Sequence, residues 1–268
     1  AQGSAACAPP DASRAAEPRL KAAAASRAAG ARRALNALPL APSLGTMDAA
    51  QLPELVAGLG PFVMRPRCFV VAWSGVLALA YEGWPEEVER MKERFARTLP
   101  LKPESPGSLW PKTSLAALRD GKRLTPEELD MVNKICSSST SDMMQEDWTL
   151  KVGQLHLTTY LCRNHERLLC AVPVHLEGPA AGSASEQSKS YVSSVVEETR
   201  RPEYWIDASR DGSREGHYRD AVLGNSLVAF LGPPPPGLAV LQRRIEEAMP
   251  GRYAWFEEPS LHCTVRGL

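Results

Sequence analysis

Twice along this chain the same order can be read: an apolar run of strand length, a Gly/Pro break, a helix with one apolar face, and a strand reading apolar, His, apolar, Thr. The second copy begins at Ser226–Leu231 and is closed by Gly232 and Pro233 to Pro236. Its helix carries Leu238, Leu241, Ile245 and Met249 at helical spacing and stops at Pro250-Gly251. The strand Leu261-His262-Cys263-Thr264 follows. The first copy runs from the apolar segment Phe69–Ala80 through Gly83-Trp84-Pro85 to a helix over Glu86–Leu99, whose buried face is Val88, Met91, Phe95 and Leu99. Its His-x-Thr strand is Leu155-His156-Leu157-Thr158, reached across an insertion of about 45 residues, Lys102 to Trp148. A chain ordered this way is α+β and built from two similar halves.

Strand geometry gives each motif a common face, because residues i, i+2 and i+4 point the same way. His156, Thr158 and Tyr160 therefore project together, as do His262, Thr264 and Arg266. A neutral imidazole takes a proton from water or a ribose hydroxyl, and a protonated one donates to a departing oxygen. Hydroxyls and a guanidinium hold non-bridging phosphate oxygens, where charge builds up. The pattern suits one phosphate and calls for no metal or other cofactor. Either histidine can be the acid and the other the base.

The two motifs, their order and their separation resemble the two-histidine (2H) phosphoesterase superfamily, which includes RNA 2′,3′-cyclic phosphodiesterases; the resemblance covers roughly Cys68 to Leu268. It implies two pseudo-symmetric lobes with antiparallel sheets lining a central cleft, across which His156 and His262 face each other as the catalytic pair. It further implies Thr158, Thr264 and Arg266 as phosphate-binding residues, Tyr160 as a platform for substrate stacking, and a nucleotide or RNA end as ligand. The expected activity is metal-independent phosphodiesterase chemistry on a 2′,3′-cyclic phosphate or an RNA 3′ end. The alternative is a catalytically silent relative serving as a structural or interaction subunit of an organellar assembly, meeting a protein partner through its N-terminal extension or the insert 102–148.

A rival site is Cys162, His165, Cys170 and His175, whose C-x₂-H-x₄-C-x₄-H intervals are those of a zinc knuckle. Leu168 to Leu176 reads as a strand after a turn at Arg163–Glu166, which sets Cys170 and His175 on opposite faces, and no glycine lies between Cys162 and His175. Zinc is the weaker reading. Six scattered cysteines give no disulfide framework, and reduced thiols are expected.

The formal net charge is zero, which favours a small nucleotide or an RNA end over a long strand. No apolar run reaches the length of a membrane span, so a soluble protein is expected. Residues 1–60 form a separate extension ahead of a phosphoesterase-like domain at 61–268. Ala1–Leu40 holds six Lys/Arg against two acids, a composition that fits either a mitochondrial or chloroplast targeting segment or an alanine-rich helix. Within the insert, Thr125-Pro126-Glu127-Glu128 reads as a capping box opening a helix to about Ile135, ended by the Ser137–Ser141 run. Pro179–Ser194 reads as a flexible loop, either a linker or a lid over the cleft.

Overall fold

The structure, a computed structural model, describes residues 52–104, 106–210 and 214–268. The targeting or partner-binding role expected of the extension falls on residues 1–51, outside the described residues. Residues 52–60 belong elsewhere than expected: helix α1 (Leu52–Val56) and the turn after it bury Leu52, Leu55, Val56 and Leu59 in the main core.

The described residues form a mixed α+β fold with a two-stranded and an eight-stranded antiparallel sheet. Strands β1 (Phe62–Met64) and β5 (Leu150–Val152) make the small sheet. The large one contains β2 (Pro66–Ala72), β3 (Val76–Tyr81), β4 (Lys112–Leu118), β6 (Gln154–Tyr160), β7 (Leu168–His175), β8 (Gly224–Phe230) and β10 (His262–Gly267) in the spatial order β2-β3-β4-β10-β8-β6-β7, with β9 (Tyr253–Trp255) paired to β4.

Alternation gives this sheet two faces. Leu77, Leu79, Tyr81, Leu115, Leu155, Leu227, Ala229, Cys263 and Val265 face a core closed by α2 (Glu86–Thr98), α3 (Pro126–Met143) and α7 (Leu238–Ala248). Helix α2 forms because Val88, Met91 and Phe95 share one face, all fully buried, while Glu86, Glu87 and Glu89 complement the positive helix N-terminus. Each such side chain contributes roughly 1.5–3 kcal/mol by leaving water.

The other face is covered at one end by α4 (Glu186–Glu198), whose Val192 and Val196 pack on Val70, Ala78, Ala80 and Trp110. This helix occupies much of the segment expected to be a loop: Ser185 accepts the Ser188 N–H as its N-cap, and one apolar pair per two turns suffices to dock it. Two short helices follow, α5 (Trp205–Ala208) and α6 (Arg214–Arg219).

The capping box at Thr125 forms as expected, with Thr125 and Glu128 exchanging side-chain and backbone bonds. The helix nevertheless runs through the serines to Met143, because Val132, Cys136, Ser139 and Met143 continue its buried face, while Ser138, Thr140 and Ser141 satisfy their hydroxyls on the carbonyls of Ile135, Cys136 and Ser137. The stretch read as an insert also supplies β4, a central strand of the sheet.

Candidate active site

Strands β6 and β10 flank β8 on the uncovered part of the sheet. Their registers pair His156 with Val228, Thr158 with Ser226, His262 with Phe230 and Thr264 with Val228, so these residues share one face. A cavity of about 410 Å³ lies over this face, with Tyr160, Ser226, His262 and Thr264 in its floor and the turn Arg163-Asn164-His165 in its wall.

His156 and His262 do not meet face to face as expected. Phe230, on the strand between them, touches both rings, at 5.1 Å from His156 and 6.2 Å from His262 between centroids. His156 contacts the Gln154 amide at 3.3 Å and does not line the cavity. The ring that does reach His262 is His165, centroid to centroid 3.8 Å and nearly perpendicular. His165 sits in a left-handed conformation (φ 60°) in the turn after β6, which drives its ring back over the strand.

Hydrogen bonds assign the protons. Thr158 Oγ1 donates to the Ser226 carbonyl at 3.0 Å, so its 3.1 Å contact with His165 Nε2 requires the ring to donate. Ser226 Oγ, 3.1 Å from the same nitrogen, completes the set. His165 is thus the Nε2–H tautomer, with a buried Nδ1 that has no hydrogen-bond partner. His262 is the opposite tautomer: Nδ1–H donates to the Ser260 carbonyl at 2.7 Å, leaving the Nε2 lone pair free for chemistry. Burial holds His262 down to about 4, with the Ser260 bond opposing it, and burial together with neighbouring His262 holds His165 down to about 2. Burial also lowers His156. Both rings of the cluster are therefore neutral at pH 7.

Tyr160 packs edge-on against His165 at 4.6 Å and lines the cavity. Arg266 departs from the expected trio. A β-bulge between Thr264 and Arg266 breaks the alternation, and the guanidinium is buried at 4% exposure, donating to the Lys102 carbonyl at 2.9 Å and pairing with Glu104 at 3.4 Å. It is absent from the cavity lining.

The turn bearing His165 is clamped. Glu166 accepts two bonds from Arg219, both 3.0 Å, and one from the Glu257 N–H at 3.2 Å, so it ties the His165 turn to α6 and to the segment leading into β10. Sequence reasoning found the turn and weighed His165 only as a zinc ligand. Among the described residues no group of three His, Cys, Asp or Glu side chains could hold a metal ion, and Cys170 and His175 are both exposed on β7. Ser226 pairs with Thr158 across β8 and β6, a contact between distant residues that no local sequence pattern signals.

The cavity wall also carries Lys112 and Ser114 of β4, with Ser114 Oγ 3.2 Å from Tyr218 Oη, and the cations Arg163 and Arg214. Glu198 is the acid on the same wall. A neutral chain thus has a locally cationic, hydroxyl-rich cleft with a free imidazole nitrogen. Among the described residues no helix is long and apolar enough to cross a membrane. Compared with protein-family models, with curated proteins and with solved structures, the chain matches none of them.

Proposed function

We propose that this cleft is the active site of a two-lobed, 2H-like phosphoesterase that hydrolyses a 2′,3′-cyclic phosphate or an RNA 3′ end without a metal, with His262 as general base. The observation that carries the reading is the His262–Ser260 bond. It leaves Nε2 as a proton acceptor in a cleft that also carries the hydroxyls of Ser114, Ser226 and Thr264 and the cations Lys112, Arg163 and Arg214, against the lining acid Glu198. His262 Nε2 takes a proton from water, the water oxygen bonds to phosphorus, and the bond from phosphorus to one ribose oxygen breaks as that oxygen takes up a proton. Thr264 steadies a non-bridging oxygen from the same strand face. His165 positions His262 by edge contact and is itself fixed by Thr158 and Ser226.

A binding role without turnover is favoured by one observation: the His165 ring packed at 3.8 Å closes one side of the His262 ring. Incubating the purified protein in EDTA with 2′,3′-cyclic nucleotides and with short RNAs ending in a 3′ hydroxyl or cyclic phosphate separates the two. Turnover in EDTA is the expected result. Binding with no turnover on any of them defeats the hydrolytic reading.

A further inference from the structure

We infer that Lys112-Thr113-Ser114 is the first-half counterpart of His262-Cys263-Thr264, and that Lys112 is the cation that grips the phosphate opposite His262 and protonates the leaving oxygen. This rests on the phosphoester reading of the cleft. The element order carries it. Outward from the middle of the large sheet, β4, β3 and β2 stand on one side and β10, β8 and β6 on the other. In each half the inner strand follows its neighbour across a long helix, β3 to α2 to β4 and β8 to α7 to β10, the second connection adding the short strand β9 that pairs with β4. The spacing agrees: Lys112 lies 31 residues after Tyr81, the end of β3, and His262 lies 32 after Phe230, the end of β8. On this mapping the first half has no insertion ahead of its motif strand, and the His156 strand occupies an outer position.

The inner strands meet at the pair Cys263–Thr113. Antiparallel register about that pair sets Ser114 beside His262 and Lys112 beside Thr264, with Lys112 and His262 as diagonal neighbours roughly 7–8 Å apart. Both side chains line the cavity. Lys112 is aimed by its bond to the Gly107 carbonyl and by the Trp110 ring, whose centroid is 4.5 Å from Nζ, which leaves the third ammonium proton for an anion.

In the step, His262 Nε2 takes a proton from water, the water oxygen bonds to phosphorus, the bond from phosphorus to one ribose oxygen breaks, and that oxygen takes a proton from Lys112. Solvent then returns His262 and Lys112 to their starting states. A histidine donor is unnecessary, which matters because His165 and His262 are both held neutral. Burial lowers Lys112 to about 8, opposed by the Cys263 thiol and reinforced by Lys92 and Arg214; Glu198 faces the same cavity. Lys92 is itself paired with Glu104 at 3.4 Å.

Calorimetric binding of adenosine 3′-monophosphate at pH 8.5, in two buffers of different ionisation enthalpy, tests the placement separately from turnover. Wild type should take up a fraction of a proton on binding. Lys112→Arg should bind within about threefold of wild type with no uptake, and Lys112→Met should bind at least tenfold more weakly. Wild-type affinity and uptake in Lys112→Met, or no uptake by wild type, overturns the inference. Turnover tests the donor role: Lys112→Met and Lys112→Arg should each lose about 10²–10⁴-fold in kcat. Full turnover in Lys112→Met defeats the inference and leaves the hydrolytic reading standing. Uptake without turnover in wild type defeats the hydrolytic reading and leaves Lys112 as the anion grip.

Discussion

His262 donates its Nδ1 proton to the carbonyl oxygen of Ser260 at 2.7 Å, and this bond decides which nitrogen of the ring can act on a substrate. The group works as a base only while neutral. Burial holds it down to about 4, so kcat/KM should stay level from pH 7 to about 5 and fall as the pH drops through about 4. An acid limb near the ordinary imidazole value of about 6.5 would show that a different, solvated group is the base.

The same burial makes stability pH-dependent. His165 is 3% exposed and stays neutral when folded, whereas in the unfolded chain it protonates below about 6.5. The unfolded state then binds more protons, so its contribution is fully present above pH 6.5 and is lost as the pH falls toward the folded value of about 2. The melting midpoint should therefore decline between pH 6.5 and 4. His165→Asn, which tolerates the left-handed backbone, should decline less steeply over that range when followed by circular dichroism.

Glu166 and Arg219 should matter to activity through His165. Burial pushes the Glu166 carboxyl up, but the Arg219 and Asn164 side chains and the Glu257 N–H outweigh it and hold the group below the usual carboxylate range. Glu166→Gln removes the charge from a fork whose guanidinium is a third exposed, and should cost about 1–2 kcal/mol in urea unfolding. Its kcat should fall with KM nearly unchanged, because the clamp places a ring and does not touch substrate. Arg219→Lys, which keeps the charge and loses the fork, should resemble it.

Gly224 keeps a space open for Tyr160. A Cβ there would stand 2.5 Å from the Tyr160 hydroxyl and 2.6 Å from Cζ, so the ring must shift, which disturbs its edge contact with His165. Gly224→Ala should lower kcat/KM severalfold while unfolding free energy changes by about 1 kcal/mol or less, since a side-chain end, and no backbone, has to yield. A large stability loss with unchanged kcat/KM would contradict this role for Tyr160.

Local chemistry was legible where one signal dominated. The α2 and α7 faces, the capping box at Thr125 and the shared face of His262 and Thr264 all follow from periodicity or capping residues. Legibility failed where tertiary packing overrode a local rule. The serine run stays helical because Cys136, Ser139 and Met143 continue the buried face of its helix, and α4 forms because Val192 and Val196 find a sheet face. Arg266 leaves its face through a bulge that no alternation pattern announces. His165 reached the site through a positive φ, which histidine adopts seldom enough that the turn alone did not place its ring. His156 shows the reverse case: its motif reads as well as that of His262, yet strand order sets it beyond Phe230.

The most direct measurement compares turnover of a 2′,3′-cyclic nucleotide in EDTA by wild type, His262→Ala and His156→Ala. The account predicts a loss of about 10²–10⁴-fold in His262→Ala and a change within about threefold in His156→Ala. Undiminished turnover in His262→Ala would contradict it.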